Sequence, residues 1–177
     1  MPLQFTIISA HDLSSSERQA IIDVCTQAYG KDFTAILAQF HDAIHLLARL
    51  EDKPVSHACW ITRWLQPEGL PLLKAAYIEA VATVPAFQGK GFGSAVMQRV
   101  AAEIQGYALG GLCAAHAHIG FYQRLGWEMW RGPKAIRTSE TLIATPDEDV
   151  MILRTAKTPS LDVFTAITAE WREGDLW

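Results

Sequence analysis

Three glycines punctuate Gln88-Gly89-Lys90-Gly91-Phe92-Gly93-Ser94, directly after an apolar run that closes on Val84-Pro85. Lacking Cβ atoms, such a loop lets backbone N–H groups come close to an anion. A helix starting there adds its own unpaired N–H groups and the positive end of its dipole, so the pair can cradle a phosphate or pyrophosphate. The same composition also describes a plain turn linking strand to helix. A P-loop is excluded because Gly-x-x-x-x-Gly-Lys-[Ser/Thr] is missing. A dinucleotide fingerprint fits poorly because Ser94 stands where a third glycine is needed and a hairpin precedes the strand. What remains is the pyrophosphate of another cofactor. Among the six histidines, His41 and His45 lie four apart and His116 and His118 two apart. The first pair lacks the glutamate of a zinc-protease helix and straddles a helix–strand boundary, so no metal is expected.

The elements that must position this loop are readable from periodicity. Gln4–Ser9 alternates as a first strand. Ser14 and Glu17 have capping-box spacing and open a helix over residues 14–29, with Ala20, Ile21, Val24, Cys25 and Ala28 on its apolar face. A shorter helix follows Gly30 over 32–40. Strands at 44–50 and 55–64 flank the turn Glu51-Asp52-Lys53-Pro54 as an antiparallel hairpin. A long strand over 73–84 ends at Pro85, which cannot donate to a ladder. Val96, Met97, Val100, Ala101 and Ile104 mark a helix over 94–107. A buried strand at 112–114, a brief helix over 119–125 stopped by Gly126, and strands at 127–130 and 150–154 complete the set, with a mixed tail over 161–177. This order predicts an α/β (α+β) fold with a mixed sheet.

At 177 residues, half of them apolar and 19% charged, the chain suits one compact domain over residues 1–177. A net charge of −4 without a Lys/Arg cluster argues against a nucleic-acid partner. No signal peptide or membrane span is expected. The odd, scattered Cys25, Cys59 and Cys113 suit buried thiols in the cytoplasm.

Gln88-x-x-Gly91-x-Gly93 between a long strand and a long helix, with Phe121-Tyr122-Gln123-Arg124-Leu125-Gly126-Trp127 further on, resembles the two signatures of the GCN5-related N-acetyltransferase (GNAT) superfamily. The resemblance implies acetyl-CoA as co-substrate. It places the pantetheine arm on the backbone of Val81, Ala82 and Thr83, and the pyrophosphate on Gln88, Gly89, Lys90, Gly91, Phe92, Gly93 and Ser94.

A narrower resemblance runs through Lys31-Asp32-Phe33-Thr34, Tyr77-Ile78-Glu79-Ala80-Val81-Ala82, Gly132-Pro133, Thr145-Pro146-Asp147-Glu148-Asp149 and Trp171-Arg172-Glu173-Gly174-Asp175-Leu176-Trp177. These segments are similar to the aminoglycoside 2'-N-acetyltransferases, and the closing Trp-Arg-x-Gly-Asp-x-Trp is the rarest of them. The family implies that Asp32, Glu79, Cys113, Glu148, Asp175 and the carboxylate of Trp177 surround a cationic sugar, with Asp147 able to exchange roles with Glu148. Carboxylates suit that purpose because ammonium groups form charge-assisted hydrogen bonds. Each could equally be a solvated surface charge, and Trp171 and Trp177 could simply pack the tail. The family often has Asp at Glu148 and a small serine at Cys113. Those departures, with His116 and His118, leave kasugamycin as an acceptor to consider. Relatives often pair, which makes a homodimer an analogy-based expectation.

The implied mechanism is direct transfer. Glu79, beside apolar Ile78 and Val81, is the general base acting through water. The Val81 N–H polarises the thioester carbonyl, a contribution of about 2.7–4 kcal/mol in other systems. Tyr122 protonates the departing thiolate, unless it is only a core tyrosine beside Phe121. Two other readings compete: acetylation of a polyamine, amino acid or peptide N-terminus, and a non-catalytic acyl-CoA-binding module.

Overall fold

A computed structural model describes residues 2–177. The chain forms two compact units, one from the residues up to Ile61 with Ile78–Ala102, the other from Thr62–Tyr77 with Glu103–Trp177.

In the first unit β1 (Gln4–Ser9) pairs antiparallel with β2 (Ile44–Leu50), from Gln4 opposite Arg49 to Ser9 opposite Ile44. β2 pairs antiparallel with β3 (Lys53–Pro67), a strand that continues into the second unit. The turn between them is tighter than expected. Glu51 and Asp52 both have positive φ, 50° and 64°, the mirror-image turn whose twist matches that of the flanking strands. Pro54 therefore sits inside β3, opposite Arg49 and next to a register shift, where a missing N–H is tolerated.

Helix α1 (Ser15–Tyr29) begins on the expected capping box and ends at Gly30, whose φ is 67°. Its inner face buries Ile21, Val24 and Cys25 against Phe33, Leu37, Leu47, Ala82 and Val84. Fully burying a side chain such as Ile21 contributes about 1.5–3 kcal/mol. Helix α2 is only Thr34–Ala38, because Asp32 is spent on a turn (below). The long strand β4 (Leu73–Thr83) ends one residue early, and α3 (Phe92–Glu103) starts two residues early and gives way to a 3-10 turn.

The second unit holds β5 (Leu109–Cys113), α4 (Ile119–Gln123), β6 (Glu128–Met129), β7 (Lys134–Arg137), β8 (Leu142–Ala144), β9 (Val150–Arg154) and β10 (Ile167–Glu170). β5 runs parallel to β4 and antiparallel to β9, while β10 runs parallel to β7 and antiparallel to β3. The sheet path β6-β9-β5-β4-β3-β10-β7-β8 is mixed, as the element order implies. A parallel β4–β5 pair needs a crossover, and α3 lies in the intervening chain.

Three strands beyond those expected appear here: β7, β8 and β10. β5 also begins earlier than expected. Its Gly110 and Gly111 are buried because Ile104 and Tyr77 side chains fill the space a Cβ would take. Gly132 is required because a Cβ there would collide with the Thr165 carbonyl of the neighbouring backbone. Among the described residues no helix is long and apolar enough to cross a membrane.

Candidate functional site

In the first unit the end of β4 bends. Ala80 has φ 51° in the middle of a strand, a conformation that costs an L-residue about 1–2 kcal/mol. Five consecutive carbonyls here accept from side chains. Cys59 Sγ donates to Glu79 O at 3.5 Å, His57 Nδ1 to Ala80 O at 2.9 Å and Tyr29 Oη to Val81 O at 2.9 Å. Ser56 Oγ reaches Ala82 O at 2.7 Å, and Gln88 Nε2 reaches Thr83 O at 3.0 Å. The Tyr29 ring in turn stacks on Phe33, with centroids 5.3 Å apart. Glu79 is half-buried, beside the buried Ile78.

The glycine loop follows. Gly89 and Gly91 have φ of 73° and 84° with open space around both. Gly91 O accepts the first helical bond of α3, from Ala95 N. The amides of Gly89, Lys90, Gly91, Phe92, Gly93 and Ser94 donate to no backbone carbonyl, and the first turn of α3 carries no acidic residue. Six N–H groups without a carbonyl partner at a helix start suit a diphosphate. Gln88 differs from them. Its N–H is bonded to Pro85 O and its side-chain amide to Thr83 O, so it shapes the loop from within. Lys90 Nζ folds back onto Ala86 O at 2.9 Å. A separate open cleft of about 560 Å³ lies between α1, Lys53-Pro54 and Val84–Phe87. None of these amides, nor Glu79, lines it.

Asp32 is exposed and closes a turn on itself. One carboxylate oxygen accepts from Thr34 N at 3.0 Å and Thr34 Oγ1 at 2.7 Å, and these bonds hold its pKa below the usual value. This turn starts α2 two residues later than periodicity suggested.

The other candidate residues belong to the second unit. Tyr122, on α4, is half-buried with its ring edge-on to Trp127, and burial raises its phenol to about 12. Cys113 ends β5 and donates to Glu148 Oε2 at 3.2 Å. Burial first, then Glu148, then the charge of Asp175, push the thiol up to about 12. A thiol so protonated is a poor nucleophile. Asp147 is exposed, and Asp149 pairs with His116 at 3.0 Å.

The tail is anchored by two arginines. Arg63, 1% exposed, donates to Leu176 O at 2.9 Å and Glu170 O at 2.6 Å. Arg172 donates to the Asp175 carbonyl and to the carboxylate of Trp177. Both guanidinium groups lie over the Tyr77 ring, at 4.9 and 5.7 Å. Trp177 is buried and donates from Nε1 to Thr145 Oγ1 at 2.7 Å, whereas Trp171 is 54% exposed. Packing the tail is therefore the work of Trp177 and the arginines, with Trp171 left out.

Sequence reasoning missed His57, Ser56, Cys59, Tyr29 and Arg63. His41 and His45 do not converge: His41 is exposed beside Asp42, and His45 is buried against His57, Nδ1 to Nε2 at 3.0 Å. Donor atoms of His45, His57 and Cys59 all lie within 4.8 Å of one another. The hairpin register was the available signal, since Cys59 faces His45 and His57 faces Leu47, which puts the three on one side. Burial, then His45, lower His57 to about 3, against its bond to Ala80. Burial, then Arg18, lower His45 to about 4.

The family model of the acetyltransferase (GNAT) domain matches residues 41–129, half of the chain. Over 97% of its length the chain is 28% identical to an aminoglycoside 2'-N-acetyltransferase of Mycolicibacterium fortuitum, of which it covers 90%. Among solved structures, an acyl-CoA N-acyltransferase of Pseudomonas aeruginosa aligns with a TM-score of 0.61 at 18% identity, covering 86% of this chain and 99% of that one. A probable N-acyltransferase of Enterococcus faecalis aligns at 0.60 and 18% identity over 73% of this chain, which spans 33% of that protein. At these identities the structural likeness is one of fold. GNAT acetyltransferases draw their acetyl group from acetyl-CoA, which is the co-substrate here. The chain belongs to the GNAT acetyltransferase family.

Proposed function

We propose that this enzyme acetylates the 2'-amine of an aminoglycoside, kasugamycin being one acceptor to try, and that it thereby confers resistance. The observation that carries the reading lies in the second unit. Glu148 and Asp175 both act on the Cys113 thiol, and the segment bearing Asp175 is anchored by Arg63 and Arg172. Two carboxylates on one small surface, one of them on a docked tail, suit a ligand with several ammonium groups. The relative from Mycolicibacterium fortuitum, matched over nearly the whole chain, supports the same reading. The three cysteines are free thiols, in keeping with a cytoplasmic enzyme.

An alkylammonium must lose its proton before it can attack. Half-buried Glu79 is the proposed base, through water. The neutral amine nitrogen then bonds to the thioester carbonyl carbon, and the developing oxyanion is met by the Val81 N–H. As the C–S bond breaks the nitrogen sheds its second proton to water, and the thiolate takes a proton from Tyr122, whose phenol, pushed up to about 12 by burial, is then reprotonated from solvent. Cys113, also held as a thiol, takes no part as an acyl carrier.

The test is a panel of aminoglycosides, kasugamycin included, with acetyl-CoA and a free-thiol readout, followed by NMR assignment of the product. The reading expects a 2'-N-acetyl product and a marked loss of acceptor affinity in Asp175→Ala. Turnover with polyamines or peptides alone would move the enzyme to another acceptor class. Tight coenzyme binding without turnover on any amine would make it a binding module.

A further inference from the structure

We infer that His57, oriented by His45, is a positioning residue for acetyl transfer: it sets the direction of the Val81 N–H by holding the Ala80 carbonyl. The inference rests on the mechanism proposed above and adds a part to it that neither the resemblance nor the comparisons assign.

Among the described residues three non-glycines have positive φ. Glu51 and Asp52 form a turn, and Ala80 stands within a strand. Alanine has no preference for that region, so the surroundings must impose it. The Ala80 carbonyl accepts from His57 Nδ1 at 2.9 Å. A carbonyl only accepts, so a neutral His57 carries its proton on Nδ1 and leaves Nε2 bare. His45 Nδ1 lies 3.0 Å from that bare nitrogen and is the donor to it. The result is a one-way chain from His45 to His57 to Ala80, with both rings buried. Burial favours the neutral forms that this chain requires.

The Ala80 carbonyl and the Val81 N–H belong to one planar peptide and point in opposite directions. Fixing the oxygen with an imidazole therefore aims the hydrogen. The neighbouring carbonyls are held by Cys59 and Tyr29, so the peptide is clamped on both sides as well as at its centre. An N–H aimed before substrate arrives is what a developing oxyanion requires.

Asparagine carries its amide nitrogen at about the reach of Nδ1, and glutamine at about the reach of Nε2, which separates donor position from bulk. With acetyl-CoA and a saturating amine acceptor, His57→Gln is expected to lower kcat roughly 100-fold, the scale of a misplaced catalytic group, while calorimetric affinity for coenzyme A stays near wild type. His57→Asn recovers most of the lost rate. Equal rates for the two variants would overturn the inference. A second arm needs neither a variant nor an acceptor: long-range nitrogen–proton NMR of the wild-type imidazoles. His57 protonated on Nδ1 with a bare Nε2 supports the chain. A proton on Nε2, or one equivalent of tightly held zinc, overturns it. Failure of wild type to bind coenzyme A would instead overturn the proposed function and leave the NMR arm to decide the contact.

Discussion

At the start of α1, Ser14 and Glu17 close the helix on itself. Ser14 Oγ accepts from Glu17 N at 3.2 Å, and Glu17 Oε2 accepts from Ser14 N at 2.9 Å. The Ser14 hydroxyl, donating to Glu17 Oε2 at 2.6 Å, and then the Ser14 N–H hold the Glu17 carboxyl below its ordinary pKa. At the start of α3, in the same unit, three glycines stand where such side chains would be, and the amides from Gly89 to Ser94 find no carbonyl. Every helix begins with N–H groups that need an acceptor. The first helix supplies one from its own sequence and gains stability. The second has no such cap of its own, and in the function proposed above the diphosphate of the coenzyme supplies it.

The foundation of α1 is sensitive to pH. Its Cys25 lies 3.6 Å from His57 Nδ1, and His57 and His45 titrate near 3 and 4 instead of 6.5. The unfolded chain therefore binds protons that the folded one refuses. Stability is fully present above pH 6.5 and is lost as the pH falls toward these values, by about 2.7 kcal/mol per pH unit with both histidines engaged. Denaturant unfolding between pH 7 and pH 4 reads this directly, and a flat profile would contradict the buried neutral pair.

Next in size is Gly91→Asp, which gives α3 an anionic cap of its own. Aspartate tolerates the left-handed region better than most residues. Affinity for coenzyme A, read by calorimetry, is expected to fall roughly 100-fold as the new carboxylate takes the diphosphate's place, with the melting temperature held or raised. The neutral Gly91→Asn should fall less. The smallest effect belongs to Ser14→Ala. It removes the α1 cap at a cost of about 1 kcal/mol in urea unfolding, and coenzyme A affinity should not change.

The same contrast explains what could be read from residue types alone. α1 was legible to its ends because Ser14, Glu17 and Gly30 each have a local reason to be there. The loop at 88–94 was legible because glycine spacing and the coming helix act within ten residues. β7, β8 and β10 were not: β7 and β8 are short strands paired across a polar turn, and β10 is defined by pairing with β7 and the distant β3. Gly110 and Gly111 concealed half of β5, since their burial comes from Ile104 and Tyr77. Ala80 gives no hint of its bend, because the side chains that hold this stretch, His57, Cys59 and Tyr29, come from other elements. The docking of Trp177 depends on Arg63, more than a hundred residues away, and no local pattern reports that.

The central claim is that the open amides of α3 receive the diphosphate of acetyl-CoA. Titrating coenzyme A into nitrogen-15-labelled protein tests it most directly. The account predicts that the amide signals of Gly89, Gly91, Phe92, Gly93 and Ser94 shift furthest while those of residues 14–17 stay in place. Saturable binding with those five signals unmoved would contradict it.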